Sequence, residues 1–141
     1  IKLEGTRTLT NVSTSTTESP KFNVVLDNGK ATFEDNTVAE RESNITWQWD
    51  RNGTPFNFAD DRLIIDQNST ANGTTRGGRT YEMSLTEELV YKRFCGIAVN
   101  GVKRFLIDGE KEIIIDYGDG TCDKQVSVTI NGVTRNIRVN N

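Results

Sequence analysis

Few residues in this 141-residue chain could carry chemistry. It contains no histidine. That removes Ser-His-Asp and Cys-His activation of a nucleophile, and His-ligated zinc. Its two cysteines, Cys95 and Cys122, are too few for a four-cysteine metal site. Carboxylate chemistry remains. A glycosidase-type acid/base pair could be drawn from Asp60, Asp61, Asp66, Asp116 and Asp119. Spacing along the chain does not by itself make two of them converge, and a small thin sheet is a poor host for a deep cleft. The chain is therefore read as a non-enzyme, with a carboxylate-dependent glycoside hydrolase as the alternative.

Two further constellations could bind rather than react. Asp116, Asp119 and Asp123 fall within eight residues that also hold Gly118 and Gly120. Such a run could wrap Ca2+, a hard cation that takes oxygen ligands. The EF-hand spacing is not met, and Asp side chains bond their own backbone two residues on. Turn formation is the expected role, no cofactor is expected, and Ca2+ is the alternative. The second constellation is aromatic. An Asn52-Gly53 turn would set Trp49 against Phe56 and Trp47 against Phe58, with Ile45 on the same side. Four aromatics in a ladder could stack on sugar rings, although such pairs also serve as core that stabilises a sheet by itself. Pro55 cannot donate to a ladder, which predicts an edge position there. The charged run 34–43 reads as a solvated strand face and turn, with a ligand patch as the alternative. The Gly-rich loop 67–80 carries Arg76 and Arg79, which could hold an anion. It lacks the strand, GxxxxGK and helix context of a nucleotide loop, so flexible connection is expected.

The elements that must position these residues are strands. Turn pairs of the Asn-Gly and Asp-Gly kind recur, and they suit type I′ hairpins because both central residues need positive φ. With Asn131-Gly132 as a turn, Ile130 faces Val133 and Val126 faces Ile137, giving period-2 alternation. Asn28-Gly29 predicts a second hairpin in which Leu26 meets Ala31 and Val24 meets Phe33. Asp108-Gly109 predicts a third, pairing Ile107 with Glu110, and its register carries Cys95 opposite Cys122. The rival turn Asn100-Gly101 would instead place Leu106 opposite Cys95. A Cys95–Cys122 disulfide is therefore expected, against two free buried thiols. The glycines at 118 and 120 are where a bulge would shift that register. Strands are also expected over 1–10, 63–65 and 79–94.

Composition sets the bounds. The chain is 34% hydrophobic with net charge −3 and pI about 5.0. The apolar share suits a sheet with one solvated face or an elongated sheet with a thin core. An acidic balance disfavours nucleic acid. No apolar run approaches the roughly 20 residues of a membrane helix. The reading is one all-β domain over 1–141 with about eight or nine antiparallel strands in mostly meander order, as a sandwich or a single twisted sheet. With no initiator Met or signal peptide, Ile1 reads as the start of a processed or ordered part of a longer exported chain.

Residues EGTRTLTN at 4–11, GTTRGGRTYEMSLTEEL at 73–89, YKRFC at 91–95 and IDYGDGTCDKQVSVTING at 115–132 resemble lipoprotein-like envelope proteins of Bacteroidota bacteria. The resemblance spans nearly the whole chain and departs most over 34–72. It implies an exported β-protein with paired cysteines, at the outer membrane, cell surface or periplasm, and any membrane attachment would be an upstream lipid anchor. It implies no activity. The DYGDGT run is also similar to the strand-to-turn corner of PKD-type (polycystic-kidney-disease-like) sandwich domains. The functional expectation is a non-catalytic envelope protein that docks on another protein, with an edge near Pro55 or the terminal strand 133–139 available to pair with a partner strand. The alternative is a glycan-binding module that uses Trp47, Trp49, Phe56 and Phe58.

Overall fold

The computed structural model describes residues 1–14, 19–54 and 56–140. Ten strands follow in order: β1 (Lys2–Asn11), β2 (Lys21–Thr32), β3 (Val38–Asp50), β4 (Arg62–Ile65), β5 (Thr70–Thr74), β6 (Thr80–Lys92), β7 (Ala98–Ile107), β8 (Lys111–Asp119), β9 (Gln125–Ile130) and β10 (Val133–Arg138). Every pairing is antiparallel, and the strands form one sheet in the order β1-β2-β3-β4-β6-β7-β8-β9-β10. β5 pairs with the same two neighbours as β4. β4 and β5 are thus two halves of one strand position, interrupted by an excursion over 66–69. Buried Ser69 fills the gap: its hydroxyl accepts from the Thr46 N–H at 3.0 Å. The all-β meander matches the sequence reading, as a single sheet rather than a sandwich.

The turn pairs behave in three ways. At Asn131-Gly132 both residues take positive φ (46° and 85°), and Ile130 faces Val133 through to Val126 facing Ile137, as expected. Asp108-Gly109 also turns (52° and 69°), and the Glu110 N–H donates to the Ile107 carbonyl at 3.0 Å. The ladder beyond it pairs Ile107 with Lys111, one residue later than expected, and shifts again between Asn100 and Val102. The expectation at Asn28-Gly29 is corrected. No hairpin forms there: β2 runs straight through, and Asn28 (φ 52°) is part of a bulge against β1 and β3. A bulge and a type I′ turn both need a residue that tolerates positive φ, so Asn-Gly satisfies either. The pair expected between Val24 and Phe33 is replaced by Val24 with Ile45. The real reversal is at 33–37, where Asn36 (φ 63°) supplies the left-handed residue.

Strand pleating and register sort the side chains into two faces. Phe22, Val24, Ile45, Trp47, Ile65 and Leu89 lie on one face, continued by Met83, Phe105, Ile113, Val128 and Val133 in the later strands. The opposite face carries Asn44, Thr46, Gln48, Asn72, Glu82 and Glu112. The bulge in β2 preserves this sorting, since it moves the inward positions from 22, 24 and 26 to 29 and 31. Gly29 sits where a Cβ would lie 2.5 Å from the Arg41 carbonyl oxygen, so only glycine fits.

The sheet has no second layer among the described residues, and its deepest packing is local. Val90, Cys95 and Val99 form a buried cluster with Ile64 packed against it, on the polar face. Cys95 and Cys122 are joined, with Cα atoms 5.7 Å apart. The pairing matches expectation, but its setting does not. Cys95 lies in the loop before β7 and Cys122 in the turn after β8, so the bond ties two loops at one end of the sheet rather than facing strand residues. With the half-cystines separated by 27 positions in sequence, loop-closure entropy gives roughly 3–4 kcal/mol of stabilisation. Replacing both cysteines by serine is therefore expected to lower the melting temperature by about 10 °C. Calorimetry of the two forms measures it, and an unchanged midpoint would show that the loops hold themselves.

Candidate functional site

The apolar face of the sheet is the feature best placed to act. It is assembled from alternate residues of every strand, so no single segment of sequence displays it. Its charged members are Arg7 on β1, Arg41 on β3, Lys103 on β7, Lys111 on β8 and Arg135 on β10. The carboxylates in paired strand positions, among them Glu40, Glu42, Glu82, Glu112 and Asp116, point to the other face. None of the five cations makes an ion pair among the described residues. Lys103 lies 5.9 Å from the ring centres of both Phe105 and Tyr117. Burial, and then the nearby Arg41 charge, push its ammonium below the usual lysine value.

One end of this face is an apolar groove of about 560 Å³. Trp47, Trp49, Leu63, Ile65 and Tyr91 form its floor, with Lys92 and Arg93 at the rim. The Trp47 ring packs on Phe22, with centroids 4.9 Å apart. Trp49 is 43% exposed. Its Nε1–H donates to Asp61 Oδ2 at 2.8 Å, which fixes the indole at the groove edge. Asp61 is only 7% exposed, and its second oxygen is buried without a partner among the described residues.

The expected four-aromatic ladder is not what forms. Asn52 and Gly53 do take positive φ (51° and 73°), and the Thr54 N–H donates to the Arg51 carbonyl at 3.0 Å. The chain then runs into a short 3-10 turn, Phe58–Asp60, capped by Asn57. β4 takes the place beside β3, so Trp49 faces Leu63 and Trp47 faces Ile65. The β-branched and apolar Leu63-Ile64-Ile65 run is the better strand. Phe56 and Phe58 are left outside, 93% and 55% exposed. Pro55, which predicted an edge strand, lies outside the described residues. The sheet edges are β1 and β10, the latter as expected from 133–139. Sequence reasoning found the two tryptophans but missed Leu63, Tyr91 and the role of Asp61. Tyr91 lies 40 residues or more from either tryptophan, and only the sheet brings it near.

Asp116, Asp119 and Asp123 share a shallow groove with Glu87. Each carboxylate is engaged by its own turn. Asp116 Oδ1 accepts from the Gly118 N–H at 2.9 Å, Asp119 Oδ1 from the Thr121 N–H at 3.1 Å, and Asp123 Oδ1 from the Gln125 N–H at 2.9 Å. These are the two-residue Asx bonds expected of turn chemistry. No group of three or more potential metal-binding side chains occurs among the described residues. Of the other carboxylates proposed for acid/base work, Asp60 accepts from the Thr54 hydroxyl and Asp61 from Trp49. Asp66 pairs with Lys21 at 3.3 Å. The Asn68 N–H holds Asp66 below the usual carboxylate range, and the Thr121 hydroxyl does the same for Asp119. A general acid needs the opposite shift.

The flexible loop expected over 67–80 is corrected: the segment holds β5, paired with β3 and β6, and its arginines have internal partners. Arg76 donates to Asp35 Oδ2 at 2.7 Å and Thr37 Oγ1 at 2.8 Å, and its guanidinium lies 4.2 Å over the Phe33 ring. Arg79 lies 3.9 Å from Asp108. The charged reversal at 33–37 and the loop at 75–79 are thus clamped together.

The Thr37 hydroxyl and then Arg76 lower the Asp35 pKa to about 2. A depressed folded value means stabilisation present above the unfolded carboxylate range and lost as pH falls from about 4 towards 2. NMR titration of the Asp35 carboxyl is expected to show this low midpoint, and Arg76→Gln to raise it. A midpoint unmoved by Arg76→Gln would mean that the clamp does not form in solution. Scanned against protein-family models, curated proteins and solved structures, the chain matches none.

Proposed function

We propose that this chain is a non-catalytic, exported envelope protein that docks on another protein through the apolar face of its sheet. The reading is carried by the missing cover on that face. A folded monomer of 15.8 kDa is expected to expose about 7,300 Å². This chain exposes 9093 Å². The excess, roughly 1,800 Å², matches one side of a large protein interface. That excess counts polar and apolar surface together, and its apolar part lies on one face, the kind of patch that marks an interaction site. The disulfide is compatible with an oxidising compartment. The quoted motifs add the Bacteroidota envelope resemblance and the prospect of an outer-membrane assembly.

A second reading, a glycan-binding module, draws on one observation: a half-exposed Trp49 held in place by Asp61 beside Trp47 and Tyr91. Fixed aromatic rings suit stacking on sugar faces. In this reading Trp47 and Trp49 remain, and Tyr91 replaces Phe56 and Phe58.

Affinity capture from native envelope extract with amine cross-linking separates the readings. A stoichiometric protein partner cross-linked through Lys103 or Lys111 is expected. Cross-links confined to Lys30, which lies on the polar face, would refute docking through the apolar one. For the glycan reading, tryptophan emission should shift on adding oligosaccharide, and Trp49→Ala should abolish the shift. An emission spectrum indifferent to every sugar tested ends it.

A further inference from the structure

We infer that the partner surface is acidic as well as apolar, and that it seats a carboxylate at Arg41 and Lys103 in the middle of the face. This rests on the docking reading above and specifies its chemistry. The observation is the segregation of charge. In a chain of net charge −3, the apolar face holds Arg7, Arg41, Lys103, Lys111 and Arg135, while the carboxylates in paired strand positions face the other way. Lys103 lies 5.9 Å from the Phe105 and Tyr117 ring centres and within the influence of the Arg41 charge, and neither cation has an anion partner among the described residues. A covering surface that removed water from them without supplying negative charge would bury unpaired charge at high cost. A surface that supplied carboxylates would turn the same groups into charge-assisted hydrogen bonds.

The same segregation selects among occupants. A second copy packed face to face would bring cations against cations, a repulsive arrangement. A bilayer attracts cations to its headgroups, whereas Lys103 and Arg41 lie amid the apolar residues of the face, and a twisted sheet does not lie flat on a plane. A protein with apolar side chains and carboxylates satisfies both features.

The experiment uses the intact, oxidised protein and two dyes that share one aromatic framework. 8-Anilinonaphthalene-1-sulfonate carries an anion, and N-phenyl-1-naphthylamine does not. The sulfonate dye is expected to bind about fivefold more tightly, the order that one near-surface charge pair supplies. Arg41→Gln/Lys103→Gln should erase that preference and leave neutral-dye binding unchanged, and Lys30→Gln on the polar face should alter neither. Equal binding of the two dyes overturns the acidic partner but leaves an open apolar face. Binding of neither dye overturns the docking reading with it. Zero-length carbodiimide coupling in envelope extract then tests the occupant. Joining Lys103 or Lys111 to an Asp or Glu of a different protein supports the inference. A stable dimer of this chain in sedimentation, or phosphatidylglycerol-vesicle binding abolished by the double variant, overturns it.

Discussion

A continuous antiparallel ladder is what holds this molecule together. With one layer and few fully buried side chains, most of the cooperative order comes from backbone N–H groups meeting carbonyls on the neighbouring strand, position after position, from β1 to β10. Each strand is a template for the next, so any irregularity has to be absorbed without breaking the pleat. The β2 bulge does this with Asn28 and Gly29, and the 66–69 excursion does it with Ser69. Both keep the same face apolar on either side of the interruption.

A single layer also leaves a problem that a sandwich would solve. One face of the sheet is rich in Phe, Trp, Ile, Leu and Val, and nothing among the described residues covers it. The side chains lean on their cross-strand neighbours and stay partly wet. Cys95 and Val99 are the most deeply buried side chains, beside the disulfide on the polar face, while Ala71, Leu85, Leu89 and Val126 are buried on the apolar face. Tying the loops at that end restrains the turn of three aspartates and the groove end of β6 and β7. The apolar side chains that stay part-exposed on that face are left free to be covered by something else.

The candidate site follows from the same geometry. Trp49 is neither core nor free surface, because Asp61 holds its indole at the rim of the groove. The cations of the apolar face come from five different strands and would be unremarkable singly. Gathered on one face without a carboxylate, they define the kind of surface that could cover it.

The sequence alone determined the class of fold, the Asn131-Gly132 hairpin with its register, the disulfide partners and the turn role of Asp116, Asp119 and Asp123. All are local, or depend on alternation and positive φ within a few residues. Disulfide pairing survived a one-residue register error because both cysteines lie in loops beyond the strand ends. Tertiary structure decided what local rules leave degenerate. Asn28-Gly29 suits a bulge as well as a turn, and β1 pairing along the whole of β2 selected the bulge. Asn52-Gly53 turned as expected, but Leu63-Ile64-Ile65 took the place beside Trp47 and Trp49 that Phe56 and Phe58 were expected to fill. The charge segregation of the apolar face lay in the sequence residue by residue, but it needed every register at once, because a one-residue slip moves a side chain to the other face.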